Sequence, residues 1–256
     1  MDVYKPTAPS APPAINVTEQ PGTRAQPDTM RIDLHCHTEA SPDCVTPIEQ
    51  FPQRLLDRGI NVQAITDHDQ LWGAVRLKEL IASQPQWRER ITVIVGEEVS
   101  TREGEIIGLF LTKQIPAGLT PEETVARIKA QGGLVSLPHG FDPLKLHRLR
   151  PAALARIAAQ FDIIEGFNAR ISDRRWNEAA AQFAADHRLM IGCGTDAHTW
   201  HDIGCAASIA PYRPITGPAD LLAALADSRI EGTWTHPIPA FINKMVYLVR
   251  HRLRQK

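Results

Sequence analysis

Arg31-Ile-Asp-Leu-His-Cys-His37 is the stretch from which the rest of the chain is read. Ile32, Leu34 and Cys36 alternate with polar residues, which is the period of a half-buried strand. His35 and His37 stand two apart, so on a strand both imidazoles point to the same face. Paired neutral imidazoles are a common start to a metal site. A bare His-x-His more often binds nothing, and it is the remainder of the chain that raises its weight.

Downstream, apolar runs at 62–66, 92–95, 105–111, 134–137, 162–165 and 189–192 read as further strands. Helical stretches separate most of them, at about 46–59, 72–83, 120–132, 151–159 and 172–187. Two more helices are expected over 218–227 and 240–254. Thr46 before Pro47 reads as an N-cap with proline at the first helical position, and Gly59 as the stop. Thr120-Pro-Glu-Glu123 reads as a capping box, closed by Gly132 and Gly133. Strands alternating with helices imply parallel strands joined by right-handed crossovers. Seven or so such units over about 225 residues suit an α/β fold of the TIM-like barrel kind. A doubly wound open sheet is the alternative, but no Gly-rich phosphate loop follows the first strand.

The 256 residues are enough for one large domain, with 43 % apolar and 22 % charged residues and a net charge of −1. That balance provides no global field for a polyanion. Cys36, Cys44, Cys193 and Cys205 are few and scattered, which predicts free thiols in a reducing, cytoplasmic compartment. No run approaches the ~18 apolar residues of a membrane span, and no secretory signal is visible. Residues 1–29, rich in Pro and Ala, are expected to be a disordered extension, leaving 30–256 as the folded domain.

Metal-capable residues fall where strands end. His35 and His37 close the first, Asp67 and His68 follow the second, and Glu97 and Glu98 the third. His139 follows the fifth, Asn168 the sixth, and Asp196 and His198 the seventh. In a barrel those ends meet on one rim, where active sites sit. Singly, each residue has an ordinary reading: Asp67 as a helix cap, His139 as a buried histidine donating to a carbonyl. Six strands all ending in ligand-type residues predict a shared site for zinc, manganese or iron.

In order and spacing, His-x-His, Thr-Asp-His, Gly-x-Glu, Pro-His and Asp-Ala-His resemble the PHP (polymerase and histidinol phosphatase) family, over about residues 31–204. The resemblance implies a distorted (β/α)7 TIM-like barrel, two or three divalent metal ions (Mn, Zn or Fe), and phosphoester hydrolysis. It implies ligands at His35, His37, His68, Glu98, His139, Asp196 and His198, with Asp43 as a further one. Asp67 then reads as a carboxylate orienting an imidazole, with Asn168 in a similar supporting place. The sequence departs from the family where many members begin the fourth strand with His. Here the residue is Glu105, either a ligand for a hard cation or a plain polar residue at a strand start.

The expected reaction is attack by a metal-activated hydroxide on a phosphorylated small molecule, a nucleotide or an oligonucleotide end. Glu98 is placed to bridge two cations. Arg170 is the candidate for gripping the phosphate, with Arg174 and Arg175 reading as a solvated helix start. Two other readings compete. An amidohydrolase-type barrel also opens with His-x-His, but would add a lysine at a strand end, which is missing here. A non-catalytic module braced by metals is the other.

Overall fold

The computed structural model describes residues 15–17, 28–234 and 245. Ten strands form one sheet: β1 (Ile15–Val17), β2 (Thr29–Asp33), β3 (Val62–Ile65), β4 (Thr92–Thr101), β5 (Gly104–Leu109), β6 (Leu134–Leu137), β7 (Ile163–Asn168), β8 (Met190–Gly194), β9 (Ala206–Pro211) and β10 (Arg229–Gly232). The order is β1-β10-β9-β2-β3-β4-β5-β6-β7-β8. The run from β2 to β8 curls back on itself. Leu34 N donates to Cys193 O at 2.9 Å and Asp196 N to His35 O at 2.8 Å, and Cys36 bridges Ala197 in parallel. The start of β2 pairs with β9 and its continuation with β8. The result is a distorted seven-stranded α/β barrel with β9, β10 and β1 as an annex, and the open doubly wound sheet is set aside.

Among the described residues seven helices accompany the sheet: α1 (Phe51–Arg58), α2 (Trp72–Ala82), α3 (Pro85–Arg88), α4 (Pro121–Ala130), α5 (Pro151–Ile157), α6 (Arg174–His187) and α7 (Pro218–Ala226). The capping box of α4 forms as expected: Glu123 N donates to Thr120 Oγ1 at 3.2 Å and Thr120 N to Glu123 Oε2 at 2.9 Å. Gly59 ends α1 at φ 67°, in the left-handed region that favours glycine. Thr46 is not a cap. A 3-10 turn over Ile48–Gln50 precedes α1, and Thr46 Oγ1 donates instead to His198 O at 3.4 Å, tying its loop across the rim.

Strand direction departs from the all-parallel expectation. β5 runs antiparallel to both β4 and β6, and β9 antiparallel to β2 and β10. Only Arg102 and Glu103 separate β4 from β5. A parallel crossover needs about a dozen residues, so this connection can only be a hairpin. Ile15–Val17, inside the segment expected to be a disordered extension, pair in parallel with β10. The rest of 1–27, and the helix expected over 240–254 apart from residue 245, lie outside the described residues.

Two apolar layers result from the period of two. Met30, Ile32, Leu34, Val62, Ala64, Ile94, Ile107, Leu109, Leu134 and Ile163 pack together inside the barrel. The intervening positions, among them Val93, Val95, Val99 and Ile106, face the helices with Phe51, Leu77, Ile128 and Ile157. Each fully buried Ile or Leu contributes about 1.5–3 kcal/mol. The interior row on β4 continues from Ile94 past Gly96 to Glu98, and on β5 from Leu109 past Ile107 to Glu105. The polar cluster is therefore a lid of charge directly above an apolar plug.

Candidate metal centre

His35 and His37 lie alongside 193–197, and their Nε2 atoms are 3.1 Å apart. Each ring is held from behind. His35 Nδ1–H donates to Glu165 Oε1 at 2.9 Å. His37 Nδ1 lies 3.0 Å from Ser41 Oγ, and Ser41 gives its own proton to Asp67 Oδ1 at 2.9 Å. With both Nδ1 atoms donating, the Nε2 lone pairs of both rings point at one another and at Glu98 Oε2, 3.3 Å from His35 and 3.4 Å from His37.

Among the described residues Asp67 hydrogen-bonds no imidazole directly, and it reaches His37 only through Ser41. It accepts from Thr38 N at 2.6 Å, Thr38 Oγ1 at 2.7 Å and Ser41 Oγ, and acts on His37 through that serine. Successive residues beyond β3 point oppositely, so with His68 facing the centre Asp67 faces the α2 side. There Gly73 makes room: a Cβ on it would lie 2.3 Å from Asp67 Oδ2. Burial pushes Asp67 up to about 6 against the pull of its three hydrogen bonds.

Glu98 is the hub. Its Oε2 is 3.2 Å from His68 Nδ1 as well as near His35 and His37, while Oε1 is 3.0 Å from His139 Nε2. Burial alone would push this carboxyl up, but His35, His68 and His139 outweigh it and hold it well below the usual carboxylate range. Glu97, on the opposite face of β4, is buried under the helical layer. It accepts from Ile115 N at 2.9 Å, and burial pushes it up to about 7.

His139 follows β6 with φ 30° and Asp196 follows β8 with φ 51°. Non-glycine residues in the left-handed region persist where the surroundings over-determine them, commonly at functional sites. His139 N donates to Glu165 Oε2 at 2.6 Å, while its buried Nδ1 has no partner among the described residues, so the carbonyl-donor reading of this histidine does not hold. Asp196 Oδ1 lies 3.6 Å from His37 Nε2 and 3.8 Å from His35 Nε2. Burial opposes ionisation of Asp196, but Lys145, His35, His37 and Arg170 hold it well below its ordinary range.

The loop after His37 brings in Asp43, whose Oδ2 is 3.0 Å from His198 Nε2 and whose Oδ1 is 3.8 Å from His68 Nε2. Glu105 enters from the start of β5, 3.5 Å from His68 Nδ1 and 3.8 Å from His139 Nε2. Burial, with Glu98 and Asp196 nearby, pushes it up to about 10. It is a buried member of the cluster and not a surface residue. Asn168 supports the arrangement, its Nδ2 donating to Glu165 Oε2 at 3.0 Å and lying 3.5 Å from Asp196 Oδ2.

The eight expected ligands, together with the open candidate Glu105, thus meet in one place. Four triads place a donor atom from each member within 4.8 Å of the others: His37, His68 and His198; His35, Glu98 and His139; His35, His37 and Asp196; His68, Glu98 and Glu105. Opposed lone pairs on imidazoles and carboxylates repel unless positive charge lies among them. Burial acts against a proton on His35, yet Glu98, Glu165 and Asp196 outweigh it and raise that ring well above the histidine range, while burial, His198 and His68 push His37 well below. The cluster demands cationic charge, and its donor set fits divalent metals.

Arg170 reaches the rim, its Nη1 donating to Asp196 O at 2.8 Å and meeting His198 Nδ1. Arg175 instead pairs with Asp173 at the exposed start of α6, and Arg174 stacks on Trp234. Two contributors were missed from sequence, Glu165 and Ser41, while Lys145, whose ammonium pairs with Asp196, opens the basic segment 145–150 that follows β6. A signal existed for Glu165, a lone acid in the apolar run Ile163-Ile-Glu-Gly-Phe167. Ser41 sits in a loop and carried none.

A family model described as the PHP domain matches residues 33–187, and one described as PHP-associated matches 174–230. An uncharacterized protein of Methanocaldococcus jannaschii is 32 % identical over 198 residues, 75 % of this chain and 75 % of its own length. Another from the same organism is 42 % identical over 125 residues, 45 % of this chain and 70 % of its own length. A solved two-domain protein from Bacteroides vulgatus, described as containing a predicted PHP-like metal-dependent phosphoesterase, superposes with a TM-score of 0.65 at 18 % identity, over 84 % of this chain and 70 % of that one. With the first model spanning more than half of its length, the chain belongs to the PHP domain family.

Proposed function

We propose that this protein is a metal-dependent phosphoesterase acting on a phosphorylated metabolite, a nucleotide or an oligonucleotide end. The observation that carries the reading is the position of Glu98, buried, with one oxygen facing His35, His37 and His68 and the other facing His139. A carboxylate so shared suits adjacent cations, which would be held by His35, His37, Asp43, His68, Glu98, Glu105, His139, Asp196 and His198. Divalent ions bound there would lower the pKa of water and neutralise charge on phosphoryl oxygens.

The chain's own groups supply the rest. Side-chain exposures of 36 % for Asp43, 24 % for Lys145, 22 % for His68 and 12 % for Arg170, against 1 % or less for His35, His37 and Glu98, mark the side from which substrate approaches. Arg170 and Lys145 flank Asp196 on that side, and their donors suit phosphoryl oxygens. Glu165 and the Ser41–Asp67 relay keep His35 and His37 in one orientation through the reaction. A thiol nucleophile is disfavoured: burial pushes the Cys36 thiol well up and the Cys44 thiol up to about 12. The amidohydrolase reading wants a strand-borne lysine in the centre. Lys145 comes from the loop after β6 and is spent on Asp196.

The test is hydrolysis of an aryl phosphate by the purified protein. Activity should vanish with a chelator and return with manganese. Failure of a fully metal-loaded sample to turn over any member of a broad phosphoester panel would overturn the reading, and cleavage of cyclic amides in its place would favour the amidohydrolase alternative.

A further inference from the structure

Among the carboxyl groups of the centre, that of Glu105 stands apart. Asp43, Glu98, Glu165 and Asp196 each have a hydrogen-bond donor or ring nitrogen within 3.0 Å. The Glu105 carboxylate makes no hydrogen bond among the described residues, although its side chain is only 7 % exposed. Its nearest nitrogens, on His68 and His139, lie closer to Glu98, at 3.2 and 3.0 Å. The backbone of Glu105 is fully engaged, donating to His147 O at 2.8 Å and pairing with Ser100 on β4, so the residue cannot swing away as a unit. A mostly buried carboxyl group fixed beside a second one, with no hydrogen-bond donor of its own among the described residues, is free to ligate a cation.

The donors around it are not uniform. On the Asp43 side the triad is all imidazole: His37, His68 and His198. On the β4–β5 side it is His68 with two carboxylates, Glu98 and Glu105. Imidazole suits zinc and iron, whereas oxygen donors favour harder ions such as Mn2+ and Mg2+.

We infer that the centre is chemically divided, and that Glu105 makes its β4–β5 position selective for a hard divalent cation, Mn2+ in particular, relative to zinc. The inference rests on the metal-centre part of the proposed function and not on the substrate. Glu105 would serve as the ligand that sets which metal sits beside Glu98, while His37, His68 and His198 serve the borderline metal.

The experiment reads metal content, not turnover. Stripped full-length protein is equilibrated with equimolar Mn2+ and Zn2+, desalted, and assayed by elemental analysis, alongside Glu105→Gln and Glu105→His. Wild type should retain both metals. Glu105→Gln should lose about one equivalent of manganese per chain, and the rise in melting temperature on adding Mn2+ should shrink. Glu105→His should keep the total count but exchange manganese for zinc, with the Mn:Zn ratio falling roughly tenfold. Circular dichroism checks that each variant folds, and the histidine variant keeps the test decisive if the glutamine variant does not. An unchanged manganese content and ratio in the folded variants, or a wild type that takes only zinc, overturns the inference. Protein that binds manganese through Glu105 yet hydrolyses no phosphoester would leave this inference standing and sink the proposed function alone.

Discussion

The two walls of the centre are built differently. On the β2–β8 wall every ligand-type side chain has a second partner: His35 leans on Glu165, His37 on Ser41 and through it on Asp67, and Asp196 on Lys145. Behind them Asp33 accepts from Thr195 Oγ1 at 2.7 Å and His35 N at 3.2 Å, fastening the two strands together. On the β4–β6 wall the supports are absent or incomplete: His139 Nδ1 has no partner among the described residues, and the Glu105 carboxylate has no donor. One wall is organised by protein alone. The other presents unpartnered ligand atoms that bound cations would engage. A site of this kind can hold its geometry on one side while remaining responsive to metal on the other.

Glu98 belongs to both walls, so Glu98→Gln should have the largest effect. We expect kcat for an aryl phosphate to fall about 10³-fold at saturating manganese. A loss of less than tenfold would mean that the walls work independently. Ser41→Ala removes only the relay behind His37 and should weaken metal affinity by about 10–100-fold, read by chelator competition. Affinity equal to wild type would mean that the β2–β8 wall gains nothing from its supports. Arg170→Ala should raise KM about tenfold with metal content unchanged, since its guanidinium faces the approach side. Metal loss in that variant would place Arg170 in the β2–β8 wall and not with the substrate.

The smallest effect concerns the outer face of β4. The folded protein favours protonated Glu97, whose value is raised from 4.5 to about 7, so between those pH values the folded state binds more protons than the unfolded one and stability falls as pH rises. Glu97→Gln removes this penalty. Its stability relative to wild type should climb between about pH 4.5 and 7 and then level off, by about 1–2 kcal/mol in chemical denaturation. A flat difference across that range would show that Glu97 carries no such strain.

Much of this was readable along the chain. Alternation about Ile32, Leu34 and Cys36 already put His35 and His37 on one face, because side chains on a strand repeat every two residues whatever surrounds them. The Thr120–Glu123 capping box and the Gly59 stop are likewise local chemistry, and both formed. The convergence of His68, Glu98, His139, Asp196 and His198 followed from where each falls relative to a strand end. Strand direction was another matter. A period of two does not say which way a strand runs, and β4 extends to Thr101, farther than its apolar run suggested, leaving two residues for the connection. That short link turns β5 over and brings its start to the rim, which is why Glu105 lies in the centre and not at the barrel floor. The partners Glu165, Ser41 and Lys145 were also set by packing, since a loop serine or lysine finds its neighbour only once the barrel has closed between β2 and β8. Local periodicity and capping depend on near neighbours along the backbone; ring closure and charge pairing depend on residues more than a hundred positions apart, such as His35 and Glu165, and only the folded chain brings those together.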